Sequence, residues 1–343
     1  MIRAVQVSQV NAPLRVVDVP EPSPGEGEVR IAVEACGMCG TDISMVRGAF
    51  GVGPFPLTLG HEVAGRIDML GDGIVGWQIG DRVAVGWFGG NDGTCQSCRE
   101  GDAINCVNLQ VPGLAYPGGY AESTVVPTSA LARIPEELTF ADAAPMGCAG
   151  VTVFNALRRT SAWPGDLVAV LGLGGLGHLA VQFADKMGFD TVVINRGGKK
   201  EATARQLGAH HYLDSTAQDV PEALKALGGA KVILATVPQP AAMTTAIDGL
   251  RPHGELIVIG FSLEKIEVSP AQLITGQKTL RGHASGTSQE VEETMRFAAQ
   301  SGVRAITEQA SLEDAPQAFD KMLAGAMRFR GVLIPDRSQN AVP

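Results

Sequence analysis

A chain of 343 residues, 45% hydrophobic and 18% charged with a mean hydropathy of +0.12, carries enough apolar material for buried cores and too much for disorder. At about 150 residues per domain, it is long enough for about two. Acidic side chains outnumber basic ones 36 to 27, giving net −9 without basic runs, which excludes nucleic acid and anionic membrane surfaces as partners.

Met1 to Pro20 alternates apolar and polar residues and has no apolar stretch of the secretory kind. Short strands separated by Gly, Pro and Asp turns follow, at Val29–Ala35, Val63–Leu70, Arg82–Val85 and Tyr120–Val126. This rhythm predicts a β-rich, barrel-like body. From Val151 the pattern changes to α/β alternation. Strands are expected at Leu167–Leu171, Thr191–Ile194, His211–Leu213, Val232–Ala235, Leu256–Ile259 and Thr279–Gly282. Helix-length segments lie between them, at Leu176–Met187, Lys199–Leu207 and Ala241–Leu250. Six strands joined by helical crossovers predict a doubly wound parallel sheet. Leu167 to Ala184 lacks Asp, Glu, Lys and Arg, but glycines break it, so it reads as strand plus helix and not as a membrane span. After Ser285-Gly286 come helical runs at Val291–Ser301 and Ala315–Leu323 and a last strand at Gly331–Ile334. This tail is expected to rejoin the first domain, so that residues 151–284 are inserted between 1–150 and 285–343.

The strand Leu167–Leu171 runs directly into Gly172-Leu-Gly174-Gly175-Leu176-Gly177 and then an apolar helix. The first glycine permits the tight turn, the second lets backbone approach a pyrophosphate, and the third allows close helix–strand packing. The helix start adds positive potential. This context points to dinucleotide binding. The second strand ends at Asn195-Arg196, where an NAD-type site places an acidic residue for the ribose 2′-hydroxyl. Neutral Asn195 does not repel a 2′-phosphate, and Arg196 with Lys199 and Lys200 offers it charge-assisted hydrogen bonds, which favours NADP. NAD, bonded through Asn195, is the alternative.

Six cysteines are too few to staple so long a chain and suit metal ligation in a reducing compartment, hence a cytoplasmic protein. Asp92-x2-Cys95-x2-Cys98-x7-Cys106 has the spacing of a closed, structural zinc loop with one thiolate replaced by a carboxylate. A metal-free lobe is the alternative. A second, dispersed set consists of Cys36, His61 and Cys148, two thiolates and an imidazole that would leave a fourth zinc position open. Spacing alone does not show that these converge. Cys39 reads as a bystander, His178 as a helix-start or backbone group, His210, His211, His253 and His283 as structural, and Glu292-Glu293 as a solvated helix face.

Taken together, Cys36…Thr41-Asp42, Gly60-His61-Glu62, the Asp92–Cys106 loop, Cys148-Ala-Gly and Gly172–Gly177 resemble the zinc-dependent medium-chain alcohol dehydrogenases over essentially the whole chain. Ile194-Asn-Arg-Gly-Gly-Lys-Lys and Leu207-Gly-Ala-His-His-Tyr are similar to the mostly NADP-linked cinnamyl-alcohol-dehydrogenase-like branch. The resemblance implies a GroES-like catalytic domain beside a Rossmann domain, two zinc ions per chain, a small alcohol or aldehyde substrate and a homodimer or homotetramer. It further implies Cys36, His61 and Cys148 as ligands of the catalytic zinc, with Glu62 as a neighbouring or exchanging ligand and Asp42 orienting His61. Thr41 would carry the alcohol proton, and Trp87 would line the substrate pocket together with Phe50 and Phe55. Arg330 would meet the pyrophosphate, while Thr236-Val237 and Ser285-Gly286 would meet the nicotinamide end. Three positions depart from the family pattern, among them Asp92 in place of the first structural cysteine. Gly40 stands where relatives often have a histidine, and Ser44 stands where many have the histidine that ends the proton relay.

Overall fold

The computed structural model describes residues 1–51 and 55–336. The chain divides into two compact units: Met1–Val151 with Ser285–Gln300 and Arg304–Pro343, and Thr152–Ala284 with Ser301–Val303.

The first unit is built on the long strand Glu28–Met38, which pairs antiparallel with Val63–Leu70, Ser123–Pro127 and Arg330–Leu333. Its sheet continues through Arg82–Val85 to Ala132–Arg133 on one side and through Thr307–Ala310 on the other. A second sheet joins Arg15–Val19, Ile2–Val7 and Leu57–Thr58. Val29, Ile31 and Val33 on the long strand are fully buried, in one core with Val63, Ile67, Val83 and Tyr120. Register decides what meets at the strand's end. Cys36 pairs with Val63 and with Leu333, so the residues just before Val63 and just before Gly331 arrive where the strand gives way to the helix Gly40–Val46. The last strand starts at Arg330, and Thr307–Ala310 is a strand that the periodicity did not single out. The expected strand over Tyr120–Val126 begins only at Ser123, because Tyr120 bonds through its N–H to Leu59 O while its ring fills the core.

In the second unit, six parallel strands take the order His211–Asp214, Asp190–Asn195, Leu167–Leu171, Ala230–Ala235, Leu250–Val258 and Thr279–Gly282. This is the doubly wound arrangement, its order reversing beside the first strand. All five residues of Leu167–Leu171 are buried, as a central strand covered on both faces requires. The segment expected as a helix over Ala241–Leu250 is helical only over Pro240–Ala246. A single 3-10 turn over Ile247–Gly249 then delivers Leu250 already extended into the next strand.

Candidate active site

The helix Gly40–Val46 starts with a reciprocal cap. Cys39 Sγ receives the Thr41 N–H at 3.5 Å, while Asp42 Oδ2 receives the Cys39 N–H at 2.8 Å. The cap turns the Cys39 sulfur away from the sheet and buries Asp42 completely. Asp42 Oδ1 lies 3.0 Å from His61 Nδ1, and Oδ2 also receives the Tyr120 hydroxyl at 2.8 Å. Burial opposes a charged imidazole, but the Asp42 carboxylate outweighs it and holds the His61 pKa well above its ordinary value. His61 Nε2, fully buried, has no oxygen or nitrogen partner.

Cys39, His61, Glu62 and Cys148 bring one sulfur, nitrogen or oxygen atom each within 4.8 Å of one another. Cys148 shares its proton with Cys39, which holds the Cys39 thiol well below the usual range and pushes Cys148 above it. Burial lifts the Glu62 carboxyl to about 7 against the pull of Arg330, whose Nη2 bonds both of its oxygens. Room for that carboxylate comes from Gly37, where a Cβ would sit 1.9 Å from Glu62 Oε2. Trp87 meets the His61 ring edge-on at 5.4 Å and leans on Phe50 at 5.7 Å. Thr41 Oγ1 is 3.5 Å from Cys39 Sγ, and Ser44 follows one turn along the same helix.

One sequence-based assignment needs correction here. Cys36 does not join the cluster. It lies inside the sheet, and its sulfur packs so closely that a Cβ on Gly60 or Gly119 would come within 2.8 Å or 2.9 Å of it. Burial pushes its thiol up. Cys39, read as a bystander, takes its place because the strand ends between the two cysteines and the helix cap redirects the second. The sequence signature of a capping box has Ser or Thr at the first position, so Cys39-x-x-Asp42 shows itself as one only in the structure. Arg330 is 4% exposed, and its Nη2 pairs with Glu62. Tyr120, which fixes Asp42, had no sequence signal beyond its place in the expected strand Tyr120–Val126.

A second cluster gathers Asp92, Cys95, Cys98 and Cys106, with ligand atoms again within 4.8 Å. Asp92 Oδ1 receives the N–H groups of Thr94 at 2.9 Å and Cys95 at 3.0 Å, and Oδ2 receives Asn108 Nδ2 at 2.7 Å. These bonds hold its carboxyl well below the usual range. Asn91 Nδ2 donates to Cys98 Sγ at 3.2 Å, and the Asn108 N–H reaches Cys106 Sγ at 3.3 Å. A ring of donors aimed at sulfur suits thiolates.

In the second unit Gly172 has φ +101°, and a Cβ there would strike Val237 Cγ1 at 2.2 Å. A Cβ on Gly177 would lie 2.0 Å from Gly172 O, whereas one on Gly174 would meet only open space. Gly175 and Leu176 complete the turn into the helix Gly177–Lys186. Thr236 Oγ1 donates toward Leu171 O at 2.9 Å and Gly172 O at 3.1 Å, so it pins the loop's entrance. Lys200 Nζ donates to Leu173 O at 2.7 Å, while Arg196 is exposed. His178 is buried, with Nδ1 3.1 Å from Gly174 O. Ser285 and Gly286 lie buried ahead of the helix Ser288–Ser301 in the first unit, Ser285 at φ +37°.

Residues 25–136 match the family described as alcohol dehydrogenase GroES-like domain, and residues 175–300 match zinc-binding dehydrogenase. The chain is 40% identical over 328 residues to an alcohol dehydrogenase of an Aspergillus species, covering 96% of each. It is 36% identical to an alcohol dehydrogenase of Geobacillus stearothermophilus, covering 98% of this chain and all of that one. Among solved structures, a cinnamyl alcohol dehydrogenase from Sorghum bicolor superposes with a TM-score of 0.90 at 29% identity over 97% of each chain.

Proposed function

Because this chain belongs to the zinc-type medium-chain alcohol dehydrogenase family, with its GroES-like and Rossmann-type parts, we propose that it interconverts primary medium-chain or aromatic alcohols and their aldehydes using zinc and a nicotinamide dinucleotide, NADP in preference to NAD. The observation that carries the proposal is the donor set at the end of the strand Glu28–Met38. Two thiols, an imidazole nitrogen with no oxygen or nitrogen partner and a carboxylate converge on one point in the first unit. Buried polar atoms left unpaired are costly, and such a set is paired by a soft divalent ion. Cys39, His61 and Cys148 would hold zinc, with Glu62 in reach. Zinc there supplies a Lewis acid for the substrate oxygen, and the nicotinamide supplies the hydride chemistry.

The chain's own residues do the rest. Asp42 takes the Nδ1 proton of His61 as a hydrogen bond and so leaves the Nε2 lone pair for the metal. Tyr120 and the Cys39 N–H hold Asp42 in turn. Thr41 Oγ1, beside Cys39, would take the alcohol proton as it gives its own toward the cofactor ribose. With Ser44 in place of the usual histidine, the proton would leave through water. Trp87 and Phe50 present an aromatic wall beside His61 for an apolar substrate. In the second unit, open space over Gly174 admits a pyrophosphate at the start of a ten-residue helix.

The second donor set would hold a structural zinc through Cys95, Cys98, Cys106 and Asp92. Among the described residues, no helix is long and apolar enough to cross a membrane. All six thiols are free, which suits the cytoplasm, and the family supports a homodimer or homotetramer, read by sedimentation. Elemental analysis tests the metal reading: about two zinc ions per chain are expected, and none, in protein never exposed to chelator, overturns it.

A further inference from the structure

The turn after the second strand of the dinucleotide unit is held by the neighbouring strand. Tyr212 and Asp214 lie two apart on His211–Asp214, so both side chains stand on one face while Leu213 is buried in the core. Tyr212 Oη donates to Gly197 O at 2.6 Å, and Asp214 Oδ1 accepts from Gly197 N at 2.8 Å. One strand therefore grips both polar groups of the residue following Arg196, which sits at φ +70°. Asn195 adds a third tie. Its Nδ2 donates to Arg196 O at 3.2 Å and to Tyr212 Oη at 3.3 Å, while its Oδ1 accepts the Leu173 N–H of the glycine loop at 3.4 Å.

The donors and acceptors fit in one orientation of the amide only. The Tyr212 proton is committed to Gly197 O, so Tyr212 can only accept from Asn195. A flipped amide would set N–H against the Leu173 N–H and oxygen against Arg196 O. Both amide hydrogens of Asn195 are thus spent. It has an oxygen to offer a ribose hydroxyl and no donor left for a phosphate. The phosphate falls to exposed Arg196, whose backbone is what Tyr212 and Asp214 hold.

We propose that Tyr212 is a positioning residue for cofactor choice: through Gly197 O and Asn195 it fixes the turn from which Arg196 meets a 2′-phosphate. This rests on the NADP reading above and deepens it. The test is calorimetric titration of the purified protein with adenosine 2′,5′-diphosphate and with 5′-AMP, which differ only in the 2′-phosphate and need no turnover. The parent is expected to bind the 2′-phosphorylated nucleotide more tightly. Tyr212→Phe is expected to lower that preference about three- to tenfold, the effect of one hydrogen bond, with 5′-AMP affinity nearly unchanged. Arg196→Ala should remove the preference, and Tyr212→Phe added to it should do nothing further. A parent without the preference overturns the NADP reading itself. A parent with it, beside a Tyr212→Phe protein that keeps it, or additive effects in the double variant, overturns the role of Tyr212. A variant that unfolds, or loses both nucleotides equally, assigns Tyr212 to stability alone and also overturns it.

Discussion

Two cysteines three residues apart have opposite fates because a strand ends between them. Cys36 still obeys the sheet and faces Gly60 and Gly119, while Cys39 caps a helix and faces His61. Cys39→Ser is expected to lose one zinc per chain and essentially all turnover. Cys36→Ser should keep both metals and lose about 1–3 kcal/mol of stability for an ill-matched buried hydroxyl, as elemental analysis beside thermal melts will show. Asp42→Asn, which weakens the hold on His61, should cost about 10- to 100-fold in metal affinity or activity. Away from the metal, bonds from Thr216 and from the Gly197 N–H depress the Asp214 carboxyl below its usual range. A depressed folded-state pKa stabilises the native state above the unfolded pKa, and that stability fades as pH falls through the carboxylate range toward the folded value. Melting temperatures followed from about pH 5 down to about pH 2 should therefore drop less steeply for Asp214→Asn than for the parent.

Among elements, the glycine loop separates two roles that its motif runs together. Gly177 is required by the protein itself, since a Cβ would lie 2.0 Å from Gly172 O, whereas at Gly174 nothing in the chain resists one. Gly177→Ala is expected to lower both melting temperature and nucleotide affinity. Gly174→Ala should leave the melting temperature in place and weaken only nucleotide binding, a contrast that melts and titrations read directly. The motif was plain in the sequence because strand, glycines and helix are contiguous and each obeys a local rule. Element ends were harder to read. Pairing and tertiary packing, not periodicity, begin one strand at Ser123 and another at Leu250.

For the whole molecule, the lobe Asp92–Cys106 has little apolar core of its own: of its four cluster residues only Cys106 is buried. Its order is expected to depend on metal. Asp92→Ala should therefore lower zinc from about two to one per chain and lower the melting temperature, while turnover of the intact fraction persists. Elemental analysis with melts and steady-state rates separates these effects. The alternation of strands and helices after Val151, the six-stranded parallel sheet and the compact Asp92–Cys106 cluster were legible in the sequence alone. Each follows from local periodicity, turn chemistry or short spacing. Tertiary structure alone decided that Cys39 and not Cys36 meets His61 and Cys148, that Arg330 pairs with Glu62, that Tyr120 holds Asp42 and that Tyr212 holds the turn of Arg196. Those pairings join residues far apart in the chain, or hinge on where a strand stops, and strand register and side-chain direction exist only once the sheets have formed.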